Sequence, residues 1–251
     1  MRIVQILPGS GDRFYCENCV RDDSVVRALR KAGHDVVVAP MYLPVSVEES
    51  GRMFYGGINA YLQQNFGLFR KTPRWLDRLF DSRMLLRLSG RKAGTVRASN
   101  LGEMTLSVLR GVDGNHAKEL ARLLRWLETM DRPDVVHLSS ALLLGIGGAI
   151  RTRLRIPVVC FLQDEDTWID AMEEPFRIRC WEAMASEARN IDAFIAVTHY
   201  YGEVMARKLE IAPDRLHVAY AGVDTSQFEP ASSPPIPPVV GYLSRLCESQ
   251  G

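Results

Sequence analysis

The sequence predicts an α/β fold built on a doubly wound, mostly parallel sheet. Two observations carry this. Short continuous apolar runs recur along the chain, and helix-periodic segments separate them. Runs that are apolar without alternation read as strands covered on both faces, which is the parallel case. In such sheets ligands bind beyond the carboxyl ends of the strands.

Taken in order, "RIVQIL" (Arg2 to Leu7) is the first run, and Pro8 and Gly9 end it. A helix follows, with Val25, Val26, Leu29 and Ala32 at helical spacing, and Gly33 stands where a helix commonly turns left-handed. "HDVVVAP" is the second strand, so residues 1–40 form a β-α-β unit with the right-handed crossover such units adopt. Residues 41–114 are less regular. Within them "PRWLDRLFDSRMLLRLSGRKAG" reads as an amphipathic helix. "HAKELARLLRWLETMDRP" is a helix closed before Pro133, and "DVVHLSS" is a strand. "ALLLGIGGAIRTRLRI" is a helix, and "PVVCFLQDED" is a strand with acids at its end. "FRIRCWEAMASEARNI", "DAFIAVTHY", "YGEVMARKLEI" and "DRLHVAYAGVD" continue as helix, strand, helix and strand.

"FEPASSPPIPPVV" breaks the alternation. Pro230, Pro234, Pro235, Pro237 and Pro238 exclude a helix or a central strand and make a stiff extended connection. The expected organisation is one domain over 1–227, a linker over 228–238, and the first strand and loop of a second domain over 239–251. On this reading the chain is cut at the start of that second domain.

Composition narrows the function classes. A net charge of +1 argues against a nucleic-acid partner. No run reaches the roughly 18 apolar residues of a membrane span, and the amino-terminal run lacks the pattern of a secretory signal. The odd set Cys16, Cys19, Cys160, Cys180 and Cys247 suggests free thiols and a cytoplasmic setting. Arg70, Lys71, Arg74, Arg78, Arg83, Arg87, Arg91, Lys92 and Arg97 form a basic stretch. It reads as the solvated side of a helix, or as a peripheral contact with an anionic membrane face.

Several stretches resemble glycosyltransferase family 4. "LRKAGHDVVVAP" is similar to the family's A-L-x-x-x-G-H-x-V segment. "PDVVHLSS" resembles its P-D-V-V-H-x-H strand end, and "AVTHYYGEVM" resembles the strand end where V-S or V-T precedes a helix. "VAYAGVDTSQFEP" is similar to P-N-G-V-D-x-x-x-F-x-P, and "GYLSRLCESQG" to G-x-x-x-R-L-x-x-x-K-G. "FYCENCVRDD" and "LQDEDTWID" resemble a bacterial subgroup with Y-C-x-x-C-x-x-D and L-Q-x-E-D stretches. Ala221, Gln163 and Gln250 stand where many relatives have Asn, His and Lys.

The resemblance implies the amino-terminal, acceptor-side half of a GT-B fold, made of two Rossmann-like domains. It implies a retaining transfer from a nucleotide sugar to a hydroxyl acceptor, with no metal and no other cofactor. The fragment alone is expected to be inactive without its carboxyl-terminal, donor-binding domain. His137, Glu165 and Asp166 are the implied catalytic residues. Gly9, Ser10, Gly11, Tyr15, Gln163, Thr198, Gly222, Asp224 and Arg245 are the implied substrate-binding residues. Read from the residues alone, each has a plainer alternative. Gly9 to Gly11 make an ordinary turn, His137 a satisfied core histidine, and Glu165 with Asp166 the acidic first turn of a helix. Cys16 and Cys19 read as packing residues, as part of an acceptor loop, or as a redox or metal pair that would make the chain a standalone binding module. A sugar-nucleotide epimerase of the same architecture is a further alternative.

Overall fold

The computed structural model describes residues 1–8, 17–41, 63, 101–222, 225, 229–230, 232–233 and 236–241. They divide into two units, Met1–Ala221 and Gly222–Gly251.

The first unit opens with β1 (Arg2–Leu7), α1 (Glu17–Lys31) and β2 (Asp35–Pro40). Gly33 has φ +85°, and the His34 N–H reaches the Leu29 carbonyl at 3.1 Å. The glycine therefore ends α1 as the sequence predicts, because a side chain there would be strained. α2 (Gly102–Leu109), a 3-10 turn over Gly111–Asp113 and α3 (Ala117–Thr129) follow. α2 lies in the stretch that reads as irregular. Next come β3 (Val135–Leu138), a 3-10 turn over Ala141–Leu143, α4 (Leu144–Leu154) and β4 (Val158–Leu162). α5 (Glu165–Asp170), α6 (Phe176–Ala188), β5 (Ala193–Ala196), α7 (His199–Leu209), a 3-10 turn over Pro213–Arg215 and β6 (Leu216–Val218) complete it. The last strand is shorter than "DRLHVAYAGVD" suggests, since Tyr220 is exposed.

All six strands pair in parallel, in the order β2-β1-β3-β4-β5-β6. The chain moves outward from β1 to β2, then returns across β1 to lay down β3 and everything after it. The winding direction reverses between β1 and β3, so the ligand crevice of this sheet class lies beyond Leu7 and Leu138.

One face of the sheet builds the main core. Val4, Ile6, Val136, Leu138, Val158, Cys160, Leu162, Phe194 and Ala196 are buried there with Leu120, Leu123, Leu124 and Leu127 of α3, Ile146 and Ile150 of α4, and Met184 of α6. Each of the Val, Leu, Ile, Met and Phe side chains among them contributes about 1.5–3 kcal/mol by leaving water. On the other face Ile3, Leu7, Val36 and Val38 pack with Val26 of α1. That face is apolar at its β2 side but not throughout. Gln5 and His137 alternate with its apolar residues and are paired in register. Polar side chains in central parallel strands cost free energy unless something compensates them.

α4 approaches the α2–α3 connection at backbone distance. A Cβ at Gly145 would stand 2.5 Å from the Val108 carbonyl oxygen and 2.7 Å from the Gly111 nitrogen. Only glycine permits that contact.

In the second unit, Val239 and Val240 are exposed and in no strand. Gly241 is likewise in no strand, and the expected strand from Tyr242 onward, with Arg245, lies outside the described residues.

Candidate functional site

The site is assembled where β3, β4 and β5 end. After β3 the chain gives Ser139 and Ser140, and after β4 it gives Gln163, Asp164 and Glu165. After β5 it gives Thr198 and the first turn of α7. Asp164 has φ 56°, a left-handed conformation that aspartate tolerates better than most residues. This turn reverses the backbone so that Glu165, the first residue of α5, is 1% exposed.

The Glu165 carboxylate accepts hydrogen bonds on both oxygens. Oε1 takes the Ala141 N–H at 2.8 Å and the Ser140 hydroxyl at 3.0 Å. Oε2 takes the Gln163 N–H at 2.6 Å and the Tyr201 hydroxyl at 2.9 Å. Burial pushes its pKa up, and these four bonds oppose the shift. A fixed backbone donor on each oxygen suits the carboxylate form. Tyr201 closes the network from α7. Its oxygen accepts the Glu165 N–H at 2.9 Å and lies 3.1 Å from Asp166 Oδ1. One carboxylate thus joins the ends of β3 and β4 to the start of α7.

Thr198 caps α7, and its Oγ accepts the Tyr201 N–H at 3.0 Å. Asp166 is half-buried beside the same tyrosine. Gln163 donates from Nε2 to the Ser139 carbonyl. His137 is 7% exposed, bonds through Nδ1 to Gln5 Oε1, and meets the Phe161 ring edge-on at 4.4 Å. Burial lowers its pKa to about 4, so the ring is neutral at physiological pH.

The structure therefore links Gln163, Glu165, Asp166 and Thr198 in one network through Tyr201, and it holds His137 on the adjacent strand against Gln5 and Phe161. Gly222 belongs to the second unit. Gly9, Ser10, Gly11, Tyr15, Cys16, Asp224 and the basic stretch over 70–97 lie outside the described residues, as does the side chain of Cys19. Sequence reasoning missed Gln5, Ser139, Ser140 and Tyr201. Gln5 had a signal, being a polar residue inside an otherwise apolar strand. Tyr201 had none, because its partner Glu165 is 36 positions away.

Cys160 and Cys180 are free and buried. Among the described residues no group of three or more His, Cys, Asp or Glu is arranged to hold a metal ion. No described helix is long and apolar enough to cross a membrane.

Residues 103–227 match the family model described as Glycosyltransferase Family 4. The chain is thus similar to that family from α2 to beyond β6, as its motifs suggested. Of the two stretches that resemble a finer subgroup, "FYCENCVRDD" falls before the matched segment and "LQDEDTWID" within it. No curated protein matches the chain in sequence. Among solved structures it is similar to Anabaena Alr3699/HepE in complex with UDP, at 12% identity and a TM-score of 0.49, over 92% of this chain and 47% of that one. It is also similar to Arabidopsis thaliana UGT89C1 complexed with UDP-L-rhamnose, at 13% identity and a TM-score of 0.41, over 88% and 51% of the two chains. The chain spans about half the length of the solved structures that it matches.

Proposed function

We propose that this chain is the acceptor-side half of a retaining glycosyltransferase that moves a sugar from a nucleotide-sugar donor to a hydroxyl acceptor. The observation that carries the reading is positional. His137 stands one residue before the end of β3, and Gln163, Glu165 and Asp166 stand just beyond the end of the neighbouring β4, inside the segment that matches family 4. The nucleotide-sugar donor is taken from the family and accords with the UDP and UDP-sugar in the two solved complexes.

In such a transfer the bond between the anomeric carbon and the diphosphate breaks, and the nucleotide diphosphate leaves with the electron pair. The acceptor oxygen bonds to the same face of the carbon and gives up its proton. Rate comes from holding the hydroxyl against the face that the diphosphate leaves and from shielding the cationic centre from water. His137 and Asp166 are the groups we assign to the acceptor hydroxyl. Glu165 is assigned the placing of the walls around them, since both its oxygens are already occupied. Thr198 and Gln163 border the same end of the sheet. Gly9, Ser10, Gly11, Tyr15, Gly222, Asp224 and Arg245 are carried as substrate contacts, with Arg245 on the diphosphate. We also propose that residues 228–238 link to a donor-binding domain that begins near Val239, that no metal takes part, and that the protein works in the cytoplasm.

The test is nucleotide release from a panel of nucleotide sugars, followed by mass spectrometry. The protein extended past Gly251 by a donor-binding domain should release nucleotide with one donor. Asp166→Asn should cut that release by at least tenfold. Silence of the folded, extended protein across the panel with hydroxyl acceptors present would sink the reading.

A further inference from the structure

Gln5 and His137 are direct register partners on β1 and β3, the two strands beside the switch point. His137 Nδ1 is hydrogen-bonded to Gln5 Oε1. An amide oxygen carries lone pairs and no proton, so the hydrogen in this bond belongs to Nδ1. A neutral imidazole has a single N–H. Nε2 is therefore left with a bare lone pair. Phe161, edge-on with 83° between the ring planes, holds the imidazole in this orientation.

Nε2 has no hydrogen-bond partner among the described residues, nor do Gln5 Nε2, Ser139 Oγ and Gln163 Oε1. All four atoms belong to residues at most 7% exposed. Their residues form a strip in register, on β1, on β3 and just past the ends of β3 and β4. The Ser139 N–H bonds to the Ile6 carbonyl at 3.0 Å, which ties Ser139 to β1. Gln163 Nε2 donates to the Ser139 carbonyl, which leaves Oε1 as the open end of that amide. Buried polar atoms without partners are uncommon in folded proteins and call for an explanation. Here two of them only accept hydrogen bonds, the serine can do either, and one only donates.

We infer that Gln5 is a positioning residue that fixes His137 as its Nδ1–H tautomer, so that Nε2, Ser139 Oγ and Gln163 Oε1 receive the hydroxyl groups of a neutral polyol. A hydroxyl brings a proton to the Nε2 lone pair and can accept in turn from Gln5 Nε2. A phosphate or carboxylate would set its own lone pairs against those of Nε2 and Oε1. The strip thus selects an uncharged acceptor over an anionic one. This step rests on the sugar-transfer reading only in treating the polyol as the acceptor.

The test is long-range proton–nitrogen NMR of the 15N-labelled 251-residue chain at pH 7, without donor. His137 is assigned by the signals lost in His137→Asn. We expect a protonated Nδ1 and an unprotonated Nε2. An Nε2–H tautomer or an imidazolium overturns the inference. Gln5→Leu should lose the tautomer preference, and a folded variant that keeps it would remove Gln5 from the account. If that variant does not fold, the wild-type spectrum still decides. Glycerol should shift the Nε2 resonance and inorganic phosphate should not. A response to phosphate alone, or none to glycerol, overturns the ligand class. Because the tautomer is read without transfer, its failure is separate from that of the enzymatic reading.

Discussion

His137 and Glu165 are both buried and both titratable, yet they act on stability in different ways. His137 has its pKa lowered by burial from 6.5 to about 4. The unfolded chain therefore takes up this proton first as pH falls. The folded state is fully favoured above about pH 6.5, and the advantage drains away between there and about pH 4. The loss amounts to about 3 kcal/mol. His137→Asn keeps a donor near the Nδ1 position and has no such proton to gain. Its urea unfolding free energy should show a flatter dependence over that pH range, and an unchanged slope would assign the effect elsewhere. Glu165→Gln should lower stability by about 1–3 kcal/mol, because an amide nitrogen must then face a buried N–H of Ala141 or Gln163. Tyr201→Phe removes a donor to Glu165 Oε2 and the acceptor of the Glu165 N–H, so it should cost about 1–3 kcal/mol. His137, Gln163, Glu165 and Asp166 were legible in the sequence because each stands at or just past the end of an apolar run. The direction of Glu165 was not. It depends on the left-handed turn at Asp164 and on a tyrosine from a distant helix, neither of which has a local signature.

At the scale of elements, the central strands were read more securely than those toward the carboxyl end. β1 coincides with "RIVQIL" because both its flanks are marked, by the chain start and by Pro8. α2 was hidden because Gly102 at its start and Gly111 after its end suggest loop. Those glycines serve packing instead. The same holds for Gly145, where α4 meets the last carbonyls of α2. Gly145→Ala would force backbone apart rather than a flexible side chain, so it should cost about 1–3 kcal/mol or more. A thermal melt within a degree of wild type would refute that contact. Cys160 on β4 and Cys180 on α6 test the burial of the same layer. Burial pushes the Cys160 thiol well up and the Cys180 thiol to about 11. At pH 8 neither should react with a thiol reagent in the native protein, and both should react once it is denatured. Native labelling of either would mean that the core opens readily.

For the whole molecule, the argument turns on which strand ends carry the polar residues. Alternation of strands and helices fixes a doubly wound sheet, but strand order depends on where the chain turns back, and no single segment encodes that. The observed order puts the reversal between β1 and β3. Gln5 and His137 lie across that boundary, and the Glu165 network begins one strand further on. A crevice at the ends of parallel strands offers one wall. Transfer from an activated sugar needs water excluded from the reacting carbon, which takes a second wall. On the division of labour proposed between two domains, we expect the 251-residue chain to release no nucleotide by itself. It should nevertheless retain its polyol-binding strip. Two assays on one preparation check this, nucleotide release and the glycerol response of His137 Nε2. A response without release is the expected pair. Release by the isolated chain would show that this unit forms both walls, and the division of labour proposed between two domains would then be wrong.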